Sequence, residues 1–135
     1  MALKWYTVVV DCMDISAQAR WWADVLDWQI AFEQDDEVAI VPRHAEANHL
    51  SEREWTRVGP GMVFVPVPEG KTVKNRLHID LAPHLSDDRD ALIDELLAKG
   101  ATRADVGQDK GEGTIWSVLA DPEGNEFCVL SARDM

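Results

Sequence analysis

Residues 5–11, WYTVVVD, are β-branched and aromatic with few breaks, which predicts a strand. After it, Ala19, Trp22 and Leu26 recur at helical spacing, with Trp21, Val25 and Trp28 beside them. That stripe predicts a helix capped by Ser16 and ending near Asp27. Two strands follow, WQIAFEQ (28–34) and EVAIVPR (37–43), with Asp35 and Asp36 in the turn between them. Residues 44–58 are polar and irregular, but Ser51 and Glu54 fit a capping box for one short helix. GMVFVPV (61–67) is a further strand, edged by Pro66 and Pro68.

The second half runs through the same order. In LHIDLAP (77–83), Leu77, Ile79 and Leu81 fall on one face of a strand, while His78 and Asp80 fall on the other. Ser86, followed by Asp87 and Asp88, suits a helix N-terminus. Leu92, Ile93, Leu96 and Leu97 form the apolar stripe of that helix, and Gly100 stops it. ATRADVG, GTIWSVLA and NEFCVLSA are three more strands, and DPEGN (121–125) turns the last two into a hairpin. The element order is therefore β-α-β-β-β, twice. A shift of 71 positions lays Thr7, Val9 and Asp11 over His78, Asp80 and Ala82. Each half offers one sheet with a helix on one face, so the other face needs a partner. Joining the halves edge to edge makes a curved sheet whose free faces line a common trough. The His78 side of each first strand points into it.

Composition narrows the partners. The 135 residues suit one compact domain, and a hydrophobic fraction of 46% supplies a core. Lys and Arg number 13 against 25 Asp and Glu, a net charge of −12. Nucleic acid binding needs clustered cations, so nucleic acid is excluded as a partner, and an anionic membrane surface with it. No apolar run approaches the roughly 20 residues of a membrane span. The start lacks a signal-peptide layout, and the expected location is cytoplasmic. Cys12 and Cys128 are too few for a disulfide framework and read as thiols, each a small core residue. Trp21 and Trp22 are helix neighbours that cannot share one face. One of them at a subunit seam would give a homodimer.

RLHIDL (76–81) opens the second module and WSVLADPEGNEFCVL (116–130) closes it. With the paired modules, these runs resemble the vicinal oxygen chelate superfamily, and within it the glyoxalase-like proteins. VPEGKTVKNRLHIDL (67–81) and LADPEGNEFCVL (119–130) carry the likeness most specifically, and it is thinnest at 43–59. It implies one α+β domain over 1–135 with the glyoxalase/bleomycin resistance/dioxygenase fold. Two tandem βαβββ modules, about 1–68 and 69–135, would form one curved mixed sheet around a trough. The superfamily holds metal-dependent lyases, ring-cleaving dioxygenases, isomerases, thiol transferases and metal-free antibiotic-binding proteins. Its fold therefore does not fix a function.

The resemblance can be followed residue by residue. Metal-dependent members carry ligands on the first and last strands of each module. The corresponding positions here are Thr7, Val65, His78 and Cys128, the last standing four residues after Gly124, where many members have glutamate. Threonine and valine do not serve. One His and one Cys make two protein ligands, whereas structural zinc takes four and catalytic zinc usually three. The expectation is a degraded metal site with no cofactor, a divalent metal at His78 being the lesser alternative. Thr7, His78, Asp80, Trp116, Glu126 and Cys128 are expected to bind a ligand in the trough. His78 and Glu126 are the candidates for catalysis, Glu126 as a general base whose pKa burial raises. Trp116 is a stacking platform or plain core. His44, His49 and Trp55 sit on a lid or a surface loop. No G-x-S-x-G elbow or phosphate-binding loop is present. The function implied is small-molecule binding, with an aromatic or cationic compound sequestered between an aromatic wall and carboxylates. The alternative is a metal-dependent lyase, isomerase or dioxygenase that uses His78 and Glu126.

Overall fold

The computed structural model describes residues 3–45, 50–104 and 117–135. Its fold is mixed α+β, with two four-stranded sheets. The chain divides into two compact units, Met1–Gly70 and Lys71–Met135.

In the first unit, β1 (Thr7–Cys12), α1 (Ile15–Leu26), β2 (Gln29–Glu33), β3 (Val38–Val41), α2 (Glu52–Arg57) and β4 (Gly61–Pro66) follow in order. A 3₁₀ turn, Arg43–Ala45, follows β3. The sheet order is β1-β4-β3-β2, with β1 parallel to β4 and the other pairs antiparallel. The second unit has β5 (Ile79–Leu81), α3 (Arg89–Ala98), β6 (Thr102–Arg103), β7 (Ser117–Ala120) and β8 (Glu126–Val129). Its order is β5-β8-β7-β6, with β5 parallel to β8. The first strand of each unit thus pairs in parallel with the last, so the β-α-β-β-β repeat seen in the pattern is also a repeat of topology.

The capping box survives: the Ser51 hydroxyl accepts from the Glu54 N–H, and the Glu54 carboxylate accepts from the Ser51 N–H. The caps of the two longer helices lie elsewhere than at Ser16 and Ser86. Asp14 caps α1 by accepting from the Ala17 N–H, and Asp88 caps α3 by accepting from Asp90 and Ala91. The physical reason is register. A cap must precede the free N–H groups by two or three residues, and Ser16 already lies inside the first turn. Ser86 is occupied with the His84 ring at 2.8 Å. Gly100 ends α3 with φ 112°, and Gly124 takes φ 91° in the β7–β8 turn.

On α1 the buried stripe is Gln18, Ala19, Trp22 and Ala23, with Trp21 meeting Trp22 edge-on at 5.1 Å. The core of the first unit is Val38, Ile40, Met62 and Phe64, and that of the second is Ile93, Leu119, Phe127 and Val129. Each such side chain contributes roughly 1.5–3 kcal/mol on leaving water. The 77–83 strand is shorter than its alternation predicts. It begins at Ile79, and Leu77, expected on the core face, is 90% exposed. Position 77 lies before the β5–β8 ladder, so among the described residues no strand pairs with it.

Candidate functional site

β5 and β8 lie side by side in parallel, with Asp80 opposite Cys128 and Ile79 opposite Phe127. Alternation then sorts the side chains. Phe127 turns into the core, while Asp80 and Cys128 share the other face. His78, two residues before Asp80, joins them, its Nε2 lying 3.2 Å from Asp80 Oδ1. One ligand atom each from His78, Asp80 and Cys128 falls within 4.8 Å of the other two. Cys128 is buried, and the other two are about half exposed, so solvent reaches the group past His78 and Asp80.

Burial pushes the Cys128 thiol up, and the charge of Asp80 and its hydrogen bond with the thiol push it further, against an opposing pull from Lys74. A nucleophilic cysteine needs the reverse environment, one that favours the thiolate. Cys128 is therefore held as a thiol, and either attack or metal ligation would first have to remove its proton.

The donor set is one imidazole nitrogen, one carboxylate oxygen and one thiol sulfur. Three protein ligands with an open fourth position is the pattern of catalytic zinc. Tetrahedral bonds to such an ion place donors roughly 3.4–3.7 Å apart, so side-chain adjustments of about 1 Å would bring all three onto it. A thiolate is a poor match for a hard ion such as Mn(II), which prefers oxygen. Two donors, His78 and Cys128, are legible from sequence here, and Asp80 makes a third. Its signal was present, since residues i and i+2 of a strand share a face.

Glu126 does something other than expected. Burial alone would raise its pKa. Hydrogen bonds from Lys71 and the Asn75 N–H, with the Lys71 charge, outweigh burial and hold the carboxyl below the usual glutamate range. Lys71 Nζ donates to its Oε1 at 2.8 Å, and the Asn75 N–H donates to its Oε2 at 3.1 Å. A carboxylate held this way is a poor proton acceptor near neutral pH, which corrects the expectation of a raised pKa. Lys71 and Asn75 went unnoticed in the sequence because they lie 55 and 51 residues from their partner.

The other expected residues are placed as follows. Thr7 opens β1 in the first unit, its hydroxyl donating to the Val8 carbonyl at 3.4 Å. Val65 is half-buried in β4 opposite Asp11. Trp116 and His49 lie outside the described residues. The Trp55 carbonyl accepts from Lys4 Nζ, which also stands 4.7 Å from the Trp55 ring centre.

The sequence profile of the glyoxalase-like domain matches residues 7–130. No curated protein matches significantly. Among solved structures, the chain is similar to a glyoxalase/bleomycin resistance protein/dioxygenase family enzyme from Burkholderia phytofirmans PsJN, at 15% identity and TM-score 0.66, covering 96% of this chain and 99% of that one. It is similar to a mutant of FosX, the genomically encoded fosfomycin resistance protein of Listeria monocytogenes, complexed with Mn(II) and 1S,2S-dihydroxypropylphosphonic acid. That match has 10% identity and TM-score 0.67, covering 98% of this chain and 92% of that one. A third is the oxidase ChaP-H2, at 16% identity and TM-score 0.59, with 97% and 94% covered. At these identities the structural likeness speaks for the fold alone.

Proposed function

We propose that this chain, which belongs to the glyoxalase-like domain family, binds a small organic molecule at a zinc-class ion held by His78, Asp80 and Cys128. One observation carries the reading: a nitrogen, an oxygen and a sulfur donor gather on one partly exposed strand face. The FosX structure, which holds Mn(II) and a phosphonate, supports metal-assisted ligand binding on this fold. The donor set here differs from one suited to Mn(II) and points to a softer ion. Such an ion would act as a Lewis acid on a ligand oxygen at its open position. The chain's own residues would hold the ion, Cys128 from the buried side and His78 and Asp80 from the solvent side.

The untagged protein is expected to take up one zinc per chain. Its Co(II) form is expected to show the absorption of a cobalt–thiolate bond. A featureless Co(II) titration, with no zinc retained after dialysis, would defeat this reading.

A second reading has its own support. His78 meets Asp80, and the Cys128 thiol donates to Asp80, so the three groups satisfy one another without an ion. In that case the face binds its small molecule metal-free, by hydrogen bonds and apolar burial. The same titration separates the two.

A homodimer belongs to this proposal. Trp5, Tyr6, Val9 and Met13 expose apolar surface on and beside β1, and an edge strand of this kind is a template for association. Light scattering at micromolar concentration is expected to give twice the chain mass, and a monomer mass would remove the dimer. Among the described residues no helix is long and apolar enough to cross a membrane. A reducing, cytoplasmic setting would suit a centre that depends on the Cys128 thiol.

A further inference from the structure

His78 sits at the end of a segment, 71–78, that precedes β5 and so has no ladder of its own. Something else must hold it against β8, and that is Glu126. The carboxylate takes Lys71 Nζ on one oxygen at 2.8 Å and the Asn75 N–H on the other at 3.1 Å. Asn75 Nδ2 returns a hydrogen bond to the Glu126 carbonyl at 3.4 Å, and Lys71 Nζ also donates to the Val73 carbonyl. The segment is thus pinned at 71 and again at 75. The Lys71 and Glu126 side chains are only 18% and 13% exposed. An ion pair so far out of water returns little net stability, because desolvation offsets most of the attraction. What it does give is geometry. Asn75 is three residues before His78, and Glu126 is two residues before Cys128. One carboxylate therefore ties the strand that carries the thiol to the segment that carries the imidazole.

We propose that Glu126 is a positioning residue, which with Lys71 and Asn75 sets His78 against Asp80 and Cys128 without joining the group. Both of its oxygens are already engaged, and the gathered donor set leaves it out. The inference rests on reading that group as the functional centre. A site whose ligands are oriented by a second layer of hydrogen bonds loses affinity when that layer is cut, even though every ligand remains.

The experiment uses the full chain in two forms. In the metal-free protein, the His78 ring resonances are followed by NMR at fixed pH. One sharp set is expected in the wild type, and a shifted, broadened or doubled set in Glu126→Gln and Lys71→Met. In the Co(II) titration, the same variants are expected to bind about 10–100-fold more weakly while keeping the thiolate absorption at saturation. Lys71→Arg, which retains the cation, is expected to restore both signals. Leu119→Val, a buried change on β7, serves as the control for lost stability alone. His78 resonances that do not move in Glu126→Gln would overturn the positioning role, as would equal effects from Leu119→Val. If the wild type binds no Co(II), the metal reading fails by itself, and the NMR comparison still decides the role of Glu126.

Discussion

Cys128→Ser is expected to abolish the cobalt–thiolate absorption and to weaken zinc more than the roughly 10–100-fold typical of losing a ligand's hydrogen-bond partner. The serine hydroxyl is nearly isosteric with the thiol, so the fold should survive, but it does not ionise near neutral pH and ligates zinc poorly. The pH dependence follows from the thiol. Burial and Asp80 hold Cys128 protonated, so an ion must displace a proton to bind. Protons compete with the metal, and affinity is expected to rise about tenfold per pH unit up to the raised thiol value. The Ser variant should lose that slope. The same shift also acts on the stability of the metal-free chain. A thiol whose folded value is raised adds stability below its unfolded value, and that stability is lost as pH climbs through the folded one. Isothermal titration with zinc at three pH values measures the slope. A slope near zero in the wild type, or an unchanged affinity in Cys128→Ser, would remove the cysteine from the centre.

The architecture was legible because it is written in local periods. Apolar runs bounded by turn residues gave eight strands in two equal series, and DPEGN gave the last hairpin with Gly124 at its left-handed position. The site was legible only in part. Alternation alone put His78 and Asp80 on one strand face, and the parallel ladder brings Cys128 to them. The role assigned to Glu126 from sequence was a different matter. A carboxylate beside apolar residues reads as a burial cost or as a base with a raised pKa. Which of these it becomes depends on partners, and the partners of Glu126 lie 51 and 55 residues away in the chain. Helix starts failed for a smaller reason. Ser16 and Ser86 are good caps by residue type, but Asp14 and Asp88 occupy the places from which a side chain reaches the free N–H groups.

Phe127→Ala is expected to cost about 3–5 kcal/mol, and Leu77→Ala less than about 0.5 kcal/mol. By residue type the two look alike, each a large apolar residue in a run that predicts a strand. The structure separates them. Phe127 is 1% exposed, seated between Ile79 on β5 and Leu119 on β7, and removing its ring from a close-packed interior leaves a cavity. Leu77 precedes the ladder and is 90% exposed, so truncating it removes almost no buried surface. The contrast bears on the site, because Phe127 lies between Glu126 and Cys128. The strand that carries the clamp and the thiol is anchored by the ring on its opposite face. Urea unfolding by circular dichroism measures both variants, and amide exchange in β5 and β8 locates the loss. The second unit, Lys71–Met135, has a small core, so the Phe127→Ala protein should also lose exchange protection at Asp80 and Cys128. A larger loss from Leu77→Ala than from Phe127→Ala would show that residue 77 is covered in solution. The β5 register, and with it the placing of His78, would then have to be redrawn.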